Sequence, residues 1–483
     1  MKIIFTYPPL DKTKGTPLLS QNRQFQYFKE PTYIYPVVPA CAATLLKEDG
    51  FDILWKDCIA KNIEKPEFYE FIQKESPDII AMETKTPVVK QHWKIIDEIK
   101  KQNPKIKVVL CGDHVTALPE ESMRNSQVDF ILTGGDYDFL LLNLCRVLKD
   151  GGSYDSFEPG IYYRNNAEIK NSGQFILNHN LDGLPFIDRE LTNWKLYAFK
   201  NGNFKRTPGT YIMSGRDCWW GKCKFCSWPT LYPQFRARTP VSVLDEIDML
   251  VEKYRVREIM DDTGTFPVGK WLVEFCEGMM NRRLNRKVNI DCNMRFGVLG
   301  QEEYAMMKKA GFRLVLFGLE SANQKTLDKI NKNLNVQDII KSCKMAKAAG
   351  LYPHITIMFG YPWETYEDAL KTLELGRWLL KKGIAYTVQA TIVIPYPGSK
   401  LFEECKSCGE LTSQDWDDYD MKNPVMKTAF DKNKMSELVY GIYSVAYNPE
   451  FILRRMMSIR DANDIKYFFR GFKKVIGHIF DFK

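Results

Sequence analysis

Over the first 150 residues, short apolar runs alternate with amphipathic stretches. The runs are KIIF (2–5), FDILW (51–55), DIIAM (78–82), IKVVL (106–110) and VDFIL (128–132). Between them lie helical stretches such as Val38–Asp49, stopped by Gly50, and Val88–Gln102. Near-continuous apolar strands alternating with helices predict a doubly wound parallel sheet, because such strands are covered by helices on both faces. Gly151–Gly152 ends the pattern. Residues 151–205 break the rhythm with GIYYRNN, a hairpin signal, and LDGLPFIDREL, and are expected to link two domains. A second βα series then runs through YIM (211–213), REIM (257–260), VNIDC (288–292), RLVLF (313–317), HITIMF (354–359) and YTVQATIVI (386–394). Six such units, against the eight of a full TIM barrel, predict a partial, open (β/α)6 barrel over residues 206–400. Residues 401–483 read as a helical, polar and basic C-terminal region.

Composition changes this picture little. A chain of 483 residues is too long for one core and is expected to form several domains. With 45% hydrophobic and 27% charged residues it is an ordinary globular sequence. No apolar run reaches the roughly 18 residues of a membrane span. The start, MKIIFTYPPL, lacks the apolar core and cleavage site of a signal peptide, so a cytoplasmic location is the expectation. A net charge of +8 suits an anionic substrate, a membrane surface or RNA and selects none of them. No RNA-binding module is evident, and no nucleic-acid partner is expected.

Twelve cysteines are scattered along the chain, but three fall within nine residues, in Ser214-Gly-Arg-Asp-Cys218-Trp-Trp-Gly-Lys-Cys223-Lys-Phe-Cys226. They follow a barrel strand, and the carboxyl ends of barrel strands are where active sites are built. Three thiolates on one loop can hold three irons of a cubane and leave the fourth iron open to a chelating ligand. A zinc site is the alternative reading, although zinc usually takes a fourth Cys or His nearby.

The segment resembles the CxxxCxxC signature of radical S-adenosylmethionine enzymes. It carries one extra residue between Cys218 and Cys223, as in the CWWGxCxFC form of the family's cobalamin-dependent branch. Further likenesses are Phe235-Arg-Ala-Arg238 with VSVLDEI, Asp261-Asp262-Thr263, Gly318-Leu-Glu320-Ser321, Phe359-Gly360-Tyr-Pro-Trp-Glu364 and Ile394-Pro-Tyr-Pro-Gly398. The resemblance implies a [4Fe–4S] cluster on Cys218, Cys223 and Cys226. It implies S-adenosylmethionine contacts at Phe225, Asp262, Arg295, Glu320, Ser321 and Gly360; for Arg295 an ion-pair role is an equal alternative. In the N-terminal sheet, Cys111-Gly-Asp-His-Val-Thr-Ala-Leu-Pro-Glu120 resembles the GGxHxTxxPE loop of cobalamin-binding domains, and Thr133-Gly-Gly-Asp136 stands where a GEGE-like loop is expected. Cobalamin contacts are thereby implied at Thr84, Gly112, His114, Thr116, Gly134 and Gly135. The DxHxxG motif, whose histidine ligates cobalt, is absent.

The function implied by resemblance is methylation of an unactivated carbon of a small molecule or lipid, through a 5′-deoxyadenosyl radical and methylcobalamin. A flavodoxin- or ferredoxin-type electron donor is implied as partner. Ring formation or oxidative rearrangement is the alternative within the branch, and a non-catalytic cofactor sensor the alternative outside it. Cys405-Lys-Ser-Cys408 reads as packing cysteines, with an auxiliary cluster as the other reading. Aromatic and basic residues alternate at helical spacing from Phe468. That pattern suits a docked helix with a solvated basic face, or contact with a membrane surface.

Overall fold

The computed structural model describes residues 1–19, 27–166 and 168–481, and the side chains of all of these except 474–476 and 478–481. The first sheet has seven strands: β1 (Lys2–Tyr7), β2 (Asp52–Asp57), β3 (Ile79–Glu83), β4 (Lys107–Cys111), β5 (Phe130–Leu132), β6 (Ile161–Asn165) and β7 (Glu168–Asn171). Their order is β2-β1-β3-β4-β5-β6-β7, with the first five parallel and β6 antiparallel to both β5 and β7. The expected hairpin over GIYYRNN therefore forms, but as the edge of this sheet and not as part of a free connection. Pairing of Leu132 with Ile161 decides this; the span 151–160 is only the turn that reverses the chain.

Helices α1 (Val37–Glu48), α2 (Val89–Gln102) and α3 (Tyr137–Lys149) are among those that cover the sheet. Ile3, Ile4 and Phe5 are fully buried, which is why alternate positions of the strand are not polar. The chain order turns back between β1 and β3, and ligands of such sheets bind outside the carboxyl ends at that switch point.

The second sheet is all parallel and in chain order: β8 (Gly209–Ile212), β9 (Glu258–Asp261), β10 (Asn289–Met294), β11 (Phe312–Glu320), β12 (Tyr352–Phe359) and β13 (Thr387–Ile392). Among the described residues β8 and β13 do not pair, so the sheet curls into a half-barrel. Helix α4 (Pro240–Tyr254) returns the chain from β8 to β9 and starts on a Thr239 cap with Pro240 in its first turn. Helix α5 (Tyr366–Lys381) starts on a capping box of Thr365 and Asp368, directly after the Gly360–Glu364 turn. The C-terminal region is not helical throughout. Its turns around residues 409–431 pack against the first domain, with Lys90 bridging Asp415 and Asp417 and Trp416 donating to Glu121. Among the described residues no helix is long and apolar enough to cross a membrane.

Candidate active site

The carboxyl ends of the two sheets face each other. After β8 the chain forms a two-residue ribbon, Gly215–Arg216 with Arg236–Ala237, and the three cysteines lie in the loop it encloses. That loop is pinned from several sides. The Lys224 amide donates to the Ile330 carbonyl at 3.0 Å, and Trp220 Nε1 donates to the Asn331 carbonyl at 2.9 Å. Cys218 Sγ lies 3.1 Å from Thr265 Oγ1. Cys218, Cys223 and Cys226 are partly exposed, whereas eight of the other nine cysteines are buried and Cys408 is fully on the surface. No three His, Cys, Asp or Glu side chains among the described residues converge on one metal ion. A cubane makes a different demand, one thiolate for each of three irons.

The electrostatics around the loop suit an anionic cluster. Burial pushes the Cys223 thiol up, while the cations Lys332 and Arg295 pull it down. Arg295 lies 4.4 Å over the Trp220 ring and donates to the Lys332 carbonyl at 2.6 Å. Lys332 in turn donates to Glu320 Oε1 at 2.7 Å and sits 5.9 Å over the Phe225 ring. Arg295 and Lys332 act on Cys223, and Arg295 also on Cys218, while burial and the neighbouring Cys223 and Asp217 push the Cys226 thiol up. The three thiols form a donor set that fits a [4Fe–4S] cluster, because thiolates at a desolvated site need positive charge or a metal nearby.

At the end of β11 the register shifts between Gly318 and Glu320, and Glu320 adopts φ +61°. A left-handed non-glycine residue costs about 1–3 kcal/mol and persists only where its surroundings fix it. Here the Lys332 contact does so, and strain of this kind concentrates at functional sites. Next in the chain, Ser321 donates to Glu364 Oε1 at 2.6 Å, joining the turns after β11 and β12. Gly360 adopts φ +97°, a conformation that strains any other residue, and a Cβ there would also press on the flexible end of Met435, at 2.7 Å from its Cε. Asp262 follows β9, its amide donating to the Ile212 carbonyl at 2.8 Å. Phe225, Asp262, Arg295, Glu320, Ser321 and Gly360 are thus spread over the same rim as the cysteines.

The loops after β3, β4 and β5 are tied into one surface. Gly112, φ +121°, packs so closely that a Cβ would lie 2.3 Å from the Thr84 carbonyl oxygen. Thr116 Oγ1 donates to the Gly112 carbonyl at 2.7 Å and accepts from the Gly134 amide at 3.1 Å. His114 is fully buried, with Nδ1 3.1 Å from Thr86 Oγ1 and Nε2 3.0 Å from Glu121 Oε2. Both of its nitrogens are engaged, so it organises the loop and has no free ring nitrogen. Gly134 and Gly135 accommodate aromatic rings: a Cβ would meet Phe175 at 2.5 Å on the first and Tyr232 at 1.9 Å on the second. Tyr232, six residues after Cys226, also donates to the Gly135 carbonyl at 3.1 Å.

One group that sequence reasoning missed joins the two halves. Arg216 is buried and reaches Asp136 Oδ1 at 3.1 Å and Asp138 Oδ2 at 2.5 Å, and Arg236 reaches the same Asp136 at 2.5 Å. His179 bridges Asp136 at 3.0 Å and Glu158 at 2.9 Å and stacks on Phe139 at 4.2 Å. Arg216 stands two residues before the first cysteine, and that is the one signal the sequence carried. Lys332 had none, because its partner Glu320 lies twelve residues away across a turn.

Burial by itself lowers the His179 pKa, but the two carboxylates outweigh it and raise it to about 9. An unfolded histidine titrates near 6.5, so this contribution to stability is full below about pH 6.5 and is lost as pH rises through about 9. The thermal midpoint of the wild type is expected to fall more steeply from about pH 7 to about pH 10 than that of His179→Gln. Thermal unfolding across a pH series checks this, and parallel slopes would count against the assignment.

The comparisons with known proteins agree with this geometry. The sequence matches the radical SAM superfamily over residues 212–376 and the B12 binding domain over residues 32–139. It is 27% identical over 448 residues to the uncharacterized methyltransferase PH0819 of Pyrococcus horikoshii, covering 91% of this chain and 94% of that one. It is 25% identical over 418 residues to the anaerobic magnesium-protoporphyrin IX monomethyl ester cyclase of Rubrivivax gelatinosus, covering 84% and 73%. The fold is shared with the radical S-adenosylmethionine methyltransferase TsrM from Kitasatospora setae, solved with cobalamin and a [4Fe–4S] cluster, at TM-score 0.66, 16% identity and 85% and 79% coverage. It is shared also with the cobalamin-dependent radical enzyme OxsB, at TM-score 0.70, 15% identity and 99% and 71% coverage.

Proposed function

The chain belongs to the radical S-adenosylmethionine enzymes that carry a B12-binding domain, and from that premise we propose that it methylates an unactivated carbon of a small molecule. The observation that carries this reading is the direct junction between the loop after β5 and the cysteine loop after β8, through Asp136–Arg216 and Gly135–Tyr232. It supports a reading in which two cofactor-binding rims face each other and the substrate binds between them. When bound, the cluster with S-adenosylmethionine supplies hydrogen abstraction, and cobalamin supplies a methyl group that a carbon radical can accept.

The chain's own residues hold and shield these groups. Cys218, Cys223 and Cys226 ligate three irons. Arg295 and Lys332 offset the negative charge at the thiolates. Glu320, with Ser321, Asp262 and Gly360, forms the polar rim for the methionine and ribose parts, and Phe225 is the apolar contact for adenine. Lys332 holds the Glu320 carboxylate in position. On the facing rim Thr84, Gly112, Thr116, Gly134 and Gly135 supply a tightly tied backbone surface for the corrin, with His114 as its internal brace. An external low-potential donor of the flavodoxin or ferredoxin type supplies the electron.

The methyltransferase reading is supported by PH0819 and by the bacteriochlorophyllide d C-8(2)-methyltransferase of Chlorobaculum tepidum, 26% identical over 373 residues. The 25% identity to the anaerobic cyclase supports a second reading, ring formation without methyl transfer. Anaerobically reconstituted protein, given cobalamin, S-adenosylmethionine and a strong reductant, separates the two. Quantified by mass spectrometry, 5′-deoxyadenosine and S-adenosylhomocysteine are both expected. 5′-Deoxyadenosine alone would favour the cyclase reading. Neither product, from protein with a loaded cluster, would overturn both.

A further inference from the structure

Two C-terminal helices, α6 (Pro449–Met457) and α7 (Ala462–Asp481), lie across the end of the half-barrel opposite the cysteines. Their inward contacts combine specific polar pairs with packed rings, Phe451 against the core and Tyr467 beneath Arg313. In α7, Asp464 meets Lys205 at 3.1 Å and Arg206 at 2.8 Å, and Arg470 donates to the Phe204 carbonyl at 2.8 Å. In α6, the Arg455 guanidinium lies 3.6 Å over the Tyr386 ring. Residues 204–206 precede β8 and Tyr386 precedes β13, which places both helices at the amino ends of the strands.

The face turned outward is apolar. Ile465, Phe469 and Phe472 follow one another at helical spacing along α7, and Leu453, Met456 and Met457 stand out from α6. Of the fourteen large apolar side chains exposed among the described residues, eight lie between Tyr447 and Phe472, with Phe469 66% and Met457 76% exposed. Scattered single exposures are ordinary, but a concentration of this kind on one pair of helices marks an interaction surface. The expectation of a docked helix with a solvated basic face is therefore half met: the docked face combines ion pairs with the packed rings of Phe451 and Tyr467, and the free face is apolar with basic residues at its edges.

Charge decides what covers it. Between residues 447 and 473 there are six Lys and Arg against three Asp and Glu. Two of the acids, Asp461 and Asp464, are already paired with Arg206. Arg460 and Lys466 are exposed beside the apolar residues, whereas Lys473 pairs with Glu30 at 2.9 Å and Arg454 donates to the Lys381 carbonyl at 2.6 Å. A second copy packed on this face would set like charges against each other. An anionic bilayer satisfies both components at once, by burying the apolar side chains at the headgroup boundary and neutralising the cations.

We propose that α6 and α7 dock this protein onto an anionic lipid surface. The site between the two sheets then faces away from the bilayer, so the surface anchors the enzyme and does not feed lipid into its mouth.

The test is co-sedimentation of the full chain with extruded phosphatidylcholine vesicles, alone and with about a third phosphatidylglycerol. Binding to the anionic vesicles, weakened by salt, is the expected result. The double variant Leu453→Glu/Phe469→Glu should partition roughly tenfold less or weaker still. Both side chains are exposed, so its circular dichroism and melting profile should match the wild type. The variant Arg460→Glu/Lys466→Glu should lose binding to anionic vesicles selectively. Failure of the wild type to sediment with either vesicle would overturn the proposal. So would equal binding by the double variant, equal binding to neutral and anionic vesicles, or a dimer in light scattering that the double variant abolishes.

Discussion

Replacing Cys223 by alanine is expected to leave the protein without its cluster after anaerobic reconstitution. Iron should fall from about four per chain toward zero, because two remaining thiolates cannot hold three irons. Formation of 5′-deoxyadenosine should fall by roughly a thousandfold or more, since no other group on the rim can take up and pass on the electron. Iron analysis and the visible charge-transfer absorption check the first part, and mass spectrometry checks the second. The informative control is Cys405→Ala. Cys405 is buried with its thiol 3.7 Å from Met426 Sδ, so its removal should cost packing and leave the iron content unchanged. Loss of iron in that variant, or a full cluster in Cys223→Ala, would overturn the ligand assignment.

The second large effect is expected on stability. Arg216 is nearly inaccessible, and so are Asp136 and Asp138, which it bonds across the junction of the two domains. In Arg216→Met, Asp136 keeps Arg236 and His179, but Asp138 loses both contacts from the guanidinium and keeps only the neutral Phe139 amide. An uncompensated buried carboxylate of this kind destabilises by about 3–5 kcal/mol. Chemical denaturation should therefore show the wild-type midpoint displaced strongly downward. Removing the orphaned charge as well, in Arg216→Met/Asp138→Leu, should recover much of the loss, because an apolar pair of similar volume no longer strands a charge. Additive losses in the double variant would mean that Asp138 owes its burial to other partners.

Only part of this junction was legible in the sequence. The cysteine loop spans nine consecutive residues, and its chemistry is local, so spacing alone exposes it. Asp136 and Arg216 are separated by 80 residues, and neither stands in a pattern that names the other. The loops after β3, β4 and β5 were placed correctly at strand ends, because hydrophobic runs mark where strands stop. What those loops do with their side chains was not accessible in the same way. Resemblance implies a cobalamin contact at His114, but only the fold shows Thr86 and Glu121 occupying both of its nitrogens. Gly134 and Gly135 are implied cobalamin contacts in sequence, and only the fold shows Phe175 and Tyr232 lying against them.

The order of strands and helices, the two sheets and the cysteine loop follow from the sequence itself, since periodicity and short spacings are written into neighbouring residues. The edge hairpin of the first sheet, the Arg216 junction, the Lys332–Glu320 contact and the free apolar face of the C-terminal helices were decided only by tertiary structure. Each depends on which distant surface a segment meets. An amphipathic helix announces that it has two faces, but the packing of the whole chain determines which face is covered and which is left for a partner.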